Sequence, residues 1–220
     1  ADQPPPAPAP APAAPLAARA ERQGTAGGAP RRLPEPVRAL APPTPSAPEG
    51  TAPLPEAQLD RFLLHVFVDY PEREHEKQIL HLVRGEVRQQ LADEMPAEHG
   101  IVSKMDIKLA RQQVVDTYLS QPIEDYLIQL VLATRKPQSY GEELASWIAW
   151  GASPRATLAL DRCARARAWL AGRDYVGPED IQAMAHDVLR HRILLNYEAE
   201  AEGITTDHVI DQLLEKIAVP

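Results

Sequence analysis

The sequence is poor in cysteine and has no long apolar run. Cys163 is the single cysteine, so the chain cannot form an intramolecular disulfide, and we expect this residue to pack on an Ala-rich helix in a reducing compartment. No stretch of 18 apolar residues occurs, and no cationic start precedes an apolar signal core. We therefore predict a cytoplasmic protein without membrane insertion.

Basic residues are also fewer than acidic residues. The 23 Lys and Arg residues are outnumbered by 31 Asp and Glu residues, which leaves a formal net charge of -8. Duplex binding is dominated by cationic contacts to phosphate. The balance argues against a nucleic-acid partner, and it disfavours a helix-turn-helix DNA-binding protein.

The common catalytic motifs are missing from the sequence. None of the five lysines follows a glycine, so the phosphate-loop pattern GxxxxGK[ST] is absent. The seven histidines form no HExxH pattern, and no GxSxG elbow occurs. The chain carries no complete set for phosphate-loop, zinc or serine-hydrolase chemistry.

Proline is plentiful but concentrated at one end. Of the 23 prolines, 16 lie within residues 1–55, in tracts such as PPPAPAPAPAAP. Such a segment offers too little apolar surface to offset the entropy lost on ordering. We predict that residues 1–50 are disordered, with local polyproline II character, and that order begins near Leu54.

An apolar run follows at residues 62–68, FLLHVFV. Its Val and Phe content is typical of a strand buried on both faces. Nothing upstream predicts a partner strand, so this strand would have an unpaired apolar edge. The run suggests that part of a larger domain is missing here.

Beyond Pro71 the pattern is helical, and the predicted fold class is mainly α, a small helical bundle with one or two short strands. The apolar stripes are expected to be core. Four helices are predicted over about 71–92, 106–116, 142–150 and 154–171. Three more are predicted: one that carries Ile123 to Val131, one that begins at Pro178 and one that begins near Thr206. A turn is predicted around Met95 to Gly100, and a short strand near 192–197.

The segment GASPRA, residues 151–156, contains a strong helix start. Ser153 suits the N-cap and Pro154 the first helical position, so Arg155 is predicted in the first turn. That end of a helix is already electropositive. A cation there is understandable if an anion such as phosphate comes to meet it. The alternative is a solvated arginine on a surface helix.

Several ordered motifs together resemble the C-terminal part of the MoxR family of AAA+ ATPases. They are EGTAPLPEAQLDRF at residues 49–62, GASPRA, ARAWLAGRDYVGPEDI and VLRHRI. The resemblance covers roughly residues 49–220. It implies a disordered segment at 1–50, a remnant of the AAA+ core at 51–70 with the arginine-finger segment and last core strand, and a helical AAA+ lid domain at 71–220.

The resemblance also implies roles for two arginines. Arg155 matches the sensor 2 arginine, which reaches the γ-phosphate of nucleotide in the same subunit. Arg61 matches the arginine finger, which acts on nucleotide in the adjacent subunit. A planar guanidinium suits both tasks, because phosphoryl transfer develops charge on phosphate oxygens. Arg61 has an alternative, an ion pair with Asp60 or another carboxylate, and the RDY turn at 173–175 is expected to shape a helix connection.

For an intact member, the resemblance implies ATP and Mg, a ring of probably six subunits, and von Willebrand factor A domain partners. The implied function is chaperone-like remodelling or metal-cofactor insertion. Here the Pro/Ala-rich tract stands where Walker A, Walker B and sensor 1 should be, and the resemblance begins near Glu49, as after a truncation or frame change. We expect this chain alone to hydrolyse no ATP. The rival interpretation is a non-enzymatic helical interaction module with a disordered docking arm.

Overall fold

A computed structural model describes residues 23–26, 29–32, 40, 54–91 and 102–220. These residues belong to two compact units. The first unit takes its residues from 1–65 and 117–220, and the second comprises 66–116. Among the described residues, no helix is long and apolar enough to cross a membrane.

Two short strands lie in the N-terminal segment. Strands β1 (Gln23–Ala26) and β2 (Ala29–Arg32) pair antiparallel, with Ala26 opposite Ala29. The sequence between the strands is Gly-Gly, a pair favoured in two-residue hairpin connections. Disorder over residues 1–50 stays a prediction. The rest of residues 1–50, apart from Leu40, lies outside the described residues.

The core of the first unit is helical, as predicted. Helices α4 (Gln121–Arg135), α6 (Pro154–Leu170), α7 (Pro178–Leu189) and α9 (Thr206–Lys216) bury their apolar faces against one another. Two shorter helices, α5 (Glu142–Trp147) and α8 (Tyr197–Ala201), and a 3-10 turn at Pro137–Ser139 complete the helical part. The largest fully buried side chains include Leu127, Leu130, Leu160, Ile181, Leu189, Ile210 and Leu213.

Two short strands also lie in this unit. Strand β3 (Ile148–Trp150) pairs antiparallel with β4 (Leu194–Leu195). The strand near 192–197 was predicted, but the helix predicted to run to Trp150 ends at Trp147. Ile and Trp favour extended backbone, which explains the early helix end.

The short helix α1 (Glu56–Leu59) precedes residues 60–65, which also belong to the first unit. Residues 62–68 form no strand, so that prediction is wrong. Val66, Phe67 and Val68 are largely exposed. A strand needs hydrogen-bonding neighbours. Among the described residues, no strand pairs with this run, and its apolar character alone is not enough.

The second unit contains α2 (Arg73–Leu91) and α3 (Lys104–Asp116), close to the predicted bounds. Its apolar stripe is not buried, contrary to expectation. Four residues of α2, Ile79, Leu80, Val83 and Val87, are each about half exposed. The pattern identified the apolar face of the helix correctly but not its burial. The turn predicted at 95–100 lies outside the described residues.

Candidate functional site

The loop before α6 is held against the end of α4. The Ala152 N–H donates to Thr134 Oγ1 at 2.9 Å, and Arg135 Nε donates to the Ala152 carbonyl at 2.7 Å. A Cβ on Gly151 would lie 2.3 Å from the Thr134 carbonyl oxygen, so only glycine fits this close approach. These contacts fix the direction in which α6 starts.

Helix α6 begins as predicted. Ser153 is the N-cap, and its Oγ accepts a hydrogen bond from the Arg155 N–H at 3.2 Å. Pro154 takes the first helical position, where a missing N–H costs no helical hydrogen bond. Arg155 therefore lies in the first turn, with 54% of its side chain exposed.

Asp60 joins the two motifs that the sequence analysis separated. Arg155 Nη1 donates to Asp60 Oδ2 at 3.0 Å, and Ser153 Oγ donates to Asp60 Oδ1 at 2.8 Å. Arg192 Nε donates to the same Oδ1 at 3.2 Å. One carboxylate thus meets two guanidinium groups and the hydroxyl that caps α6. The sequence analysis considered Asp60 only as a partner of Arg61.

The electrostatics of Asp60 follow from these contacts. Partial burial acts to raise its pKa, but hydrogen bonds from Arg155 and Ser153 and the charge of Arg192 outweigh burial, so the pKa lies below its usual value. The carboxylate therefore stays ionised at neutral pH. It partly neutralises the positive end of α6.

Arg61 lies next to this cluster, one residue beyond Asp60. Its N–H donates to the Gln58 carbonyl at 3.1 Å, in the turn that ends α1. The residue is exposed. The structure therefore presents Arg61 at the surface, beside the residue that contacts Arg155.

Sequence reasoning missed the importance of Arg192. Its side chain is only 2% exposed, and Nη2 donates to the carbonyls of Asp60, at 3.2 Å, and Phe62. The VLRHRI segment entered the sequence analysis only as part of a resemblance. A useful signal was available, because basic side chains after a helix often bond carbonyl oxygens.

The RDY turn has the structural role expected for it. Arg173 holds the buried Asp180 with two hydrogen bonds, at 2.8 and 2.6 Å, and the Gly177 N–H donates to Asp180 Oδ2 at 3.0 Å. These bonds fix the connection from α6 to α7. Cys163 is buried, and burial raises the pKa of its thiol to about 11, which agrees with a packing role.

Two family descriptions match the chain. The AAA lid domain matches residues 144–213, which hold most of the lid core. The ATPase family associated with various cellular activities (AAA) matches residues 1–64, which end within the Asp60 segment. The lid match contains Arg155 and Arg192, and the AAA match contains Asp60 and Arg61.

Individual relatives agree. Chaperone MoxR1 of Mycobacterium tuberculosis is 37% identical over 201 residues, which cover 91% of this chain and 51% of the relative. Protein MoxR of Methylorubrum extorquens is 32% identical over 181 residues, which cover 78% of this chain and 52% of the relative. This chain belongs to the MoxR family of AAA+ ATPases.

A solved structure of an ATPase is also similar to this chain. A crystal structure of a candidate ATPase from Cytophaga hutchinsonii superposes with a TM-score of 0.81 and 41% identity. It is matched over 93% of this chain and 61% of its own length. The chain spans about half the length of the MoxR relatives.

The comparisons also correct where the resemblance begins. The sequence analysis placed its start near Glu49, but the AAA match starts at residue 1. The 201 residues aligned with MoxR1 are likewise more than residues 49–220 contain. The Pro/Ala-rich composition hid this similarity, because the recognisable motifs all lie further along the chain.

Proposed function

We propose that this chain supplies the lid and arginine-finger segment of a MoxR-type ATPase that drives chaperone-like remodelling. The supporting observation is the Asp60 cluster, where the segment carrying Arg61 meets the helix start carrying Arg155. In this proposal the lid responds to nucleotide in its own subunit, and Arg61 serves the neighbouring subunit.

Arg155 suits the sensor 2 role. It is half exposed, and the fixed loop before α6 sets its position. The Asp60 side chain is only 18% exposed, but it keeps its bonds to Ser153 and Arg192 if Arg155 leaves. A γ-phosphate, with more charge than a carboxylate, can therefore draw Arg155 away without leaving Asp60 unpaired.

Arg61 suits the finger role. A finger must reach a phosphate held by another subunit, so its guanidinium has to be at the surface. Arg61 is an exposed residue, which agrees with that requirement. The arginine would stabilise charge that develops on the phosphate oxygens during transfer.

The fit to ATP and Mg is partial. Arg155 at the start of α6 fits a phosphate group, but the sequence contains no phosphate loop to hold the rest. Among the described residues, no group of three or more His, Cys, Asp or Glu side chains could hold a metal ion. We therefore propose that ATP and Mg bind in the intact assembly and that this chain alone has no ATPase turnover.

We also propose a cytoplasmic ring, of six subunits by resemblance, as the working form. Its partners would be proteins with a von Willebrand factor A domain, and its work would be remodelling or metal-cofactor insertion. One observation favours the rival, a non-enzymatic interaction module: the half-exposed apolar stripe of α2 offers a surface for another protein.

Mixing experiments separate the two proposals. The full chain, in excess, is combined with intact MoxR1 subunits, and assembly is followed by native mass spectrometry with and without ATP. We expect ATP-dependent mixed rings. Arg61→Ala should lower ATPase activity per intact subunit at least tenfold, because fingers commonly contribute about 10³-fold or more.

The matched control is Arg84→Ala, which removes an exposed arginine from α2 and should leave the mixed-ring rate unchanged. The chain alone should show no turnover above buffer. Binding to partners without any ATP dependence would favour the interaction module. Equal rates with wild-type and Arg61→Ala chains would exclude the finger role.

A further inference from the structure

Three consecutive side chains after α7 contact the backbone of the Arg61 segment. Arg190, His191 and Arg192 point to the carbonyl oxygens of residues 60–65, which we call the finger segment. The contacts are Arg190 Nη1 to His65 O at 2.6 Å, His191 Nε2 to Phe62 O at 3.2 Å, Arg192 Nη2 to Asp60 O at 3.2 Å and to Phe62 O, and Arg192 Nη1 to Leu63 O at 3.4 Å.

The burial of Arg192 makes its contacts durable. The same guanidinium also donates to the Val188 carbonyl of α7, so it links the helix end to the finger segment. A buried guanidinium that lost these acceptors would be left uncompensated, which is strongly unfavourable. The arrangement therefore resists opening.

His191 acts as a neutral donor in this arrangement. To bond the Phe62 carbonyl, its Nε2 must carry the proton, while Nδ1 is buried without a partner among the described residues. Burial and the charge of Arg192 lower the pKa of His191 to about 4, so the ring is neutral at physiological pH.

Most of the contacts to the finger segment hold its main chain, and one, from Arg192 Nε, holds the Asp60 carboxylate. Carbonyls on both sides of Arg61, those of Asp60 and Phe62, are bonded, and the His65 N–H donates to the Asp187 carbonyl at 2.8 Å. The backbone of Arg61 is thereby fixed to the end of α7, although the residue itself is exposed.

We infer that Arg190, His191 and Arg192 are positioning residues that clamp the finger segment to the lid, so that lid and arginine finger move as one body. The Arg155–Asp60 pair is then the exchangeable contact, which nucleotide can open without releasing the clamp. The functional part of this inference rests on the proposed role of Arg61.

Hydrogen exchange on the full chain tests the clamp without any ring. In Arg192→Lys, the lysine ammonium cannot reproduce the forked contacts, and we expect the His65 amide to exchange at least tenfold faster. Amides within α6 should keep their wild-type rates. Arg190→Gln, which removes the His65 carbonyl contact, should give a smaller increase, and the control Arg155→Gln should change the rate less than twofold.

Two outcomes would overturn the clamp. The first is an unchanged His65 rate in both Arg192→Lys and Arg190→Gln. The second is an equal acceleration across α6 in both variants, which would assign these residues to lid stability alone.

Mixed rings with intact MoxR1 then test whether the clamp affects ATP hydrolysis in neighbouring subunits. Arg192→Lys chains should assemble normally and lower the kcat of neighbouring subunits at least tenfold, with KM for ATP unchanged. If Arg61→Ala lowers kcat and Arg192→Lys does not, the clamp is refuted and the proposed function stands. If Arg61→Ala has no effect, the finger role fails, and the exchange rates still decide whether the clamp exists.

Discussion

Two regions of this molecule carry similar apolar stripes and bury them differently. In α4 of the lid, Leu127 and Leu130 are at most 1% exposed. In α2 of the second unit, Ile79 and Leu80 are 51% and 48% exposed. Periodicity identifies the face of a helix that can be buried. It does not show that a partner surface exists.

The reason is that burial is a property of the whole domain. The lid has several helices whose stripes cover one another, and helices in proteins draw most of their stability from such packing. Helices α2 and α3 are the described helices of their unit, and both leave apolar side chains exposed. The lid is therefore expected to be the stable region.

The largest test of this difference is a pair of leucine truncations. Leu160→Ala in the lid core should lower the free energy of unfolding by about 3 kcal/mol, because it leaves a cavity among packed side chains. Leu80→Ala in α2 should change it by less than about 0.5 kcal/mol, as for an exposed site.

Urea unfolding followed by tryptophan fluorescence measures the lid. All three tryptophans, Trp147, Trp150 and Trp169, belong to this unit. Circular dichroism reports the helices of both units. If the two variants destabilised the chain equally, the contrast between the regions would be wrong.

The next largest difference between the two regions is expected in how their stability depends on acidic pH. His191, which faces Arg192, His65 and Asp60, has a pKa lowered from 6.5 to about 4. Its neutral form is favoured by folding, so this contribution is complete above pH 6.5 and is lost as pH falls through about 4. In α3, hydrogen bonds from Ser103 lower the pKa of Asp106, so its contribution is lost only below about 3.8.

The check is the urea midpoint of the lid at pH 7, 5.5 and 4.5. It should fall across this range in the wild-type chain and fall less in His191→Gln, whose amide can still donate to the Phe62 carbonyl. An identical fall in both chains would assign the acid sensitivity to other groups.

The smallest expected contrast between the two regions comes from two serine caps. Ser153 caps α6, and Ser103 forms a reciprocal pair of hydrogen bonds with Asp106 at the start of α3. Each Ser→Ala change should cost about 1 kcal/mol, the usual value of a cap. Ser153→Ala should lower the tryptophan midpoint, whereas Ser103→Ala should reduce only the helical signal. A midpoint shift of equal size in Ser103→Ala would show that the regions unfold together.

Much of the lid was predictable because its signals are local. Ser153, Pro154 and Gly172 mark the start and end of α6, and the structure places the helix between them. The stripe of α4 predicted its buried face correctly. The run at 62–68 failed, because strand formation depends on a neighbour that no local pattern reveals.

The candidate site was predictable only in part. Arg155 and Arg61 came from motif resemblance, and their catalytic roles remain predictions. Their surroundings were not foreseen: Asp60 meets Arg155 across 95 positions and Arg192 across 132 positions of sequence. Sequence spacing carries no information about such contacts until the helices pack.

The sequence by itself therefore determined the family, the helix starts and the face that each lid helix could bury, since capping and periodicity act within a few residues. Only the tertiary structure decided which stripes were covered, where Asp60 bonds and why Arg192 is buried. Those contacts form between groups that are distant in the chain. They are strengthened by the exclusion of water, which occurs only after packing.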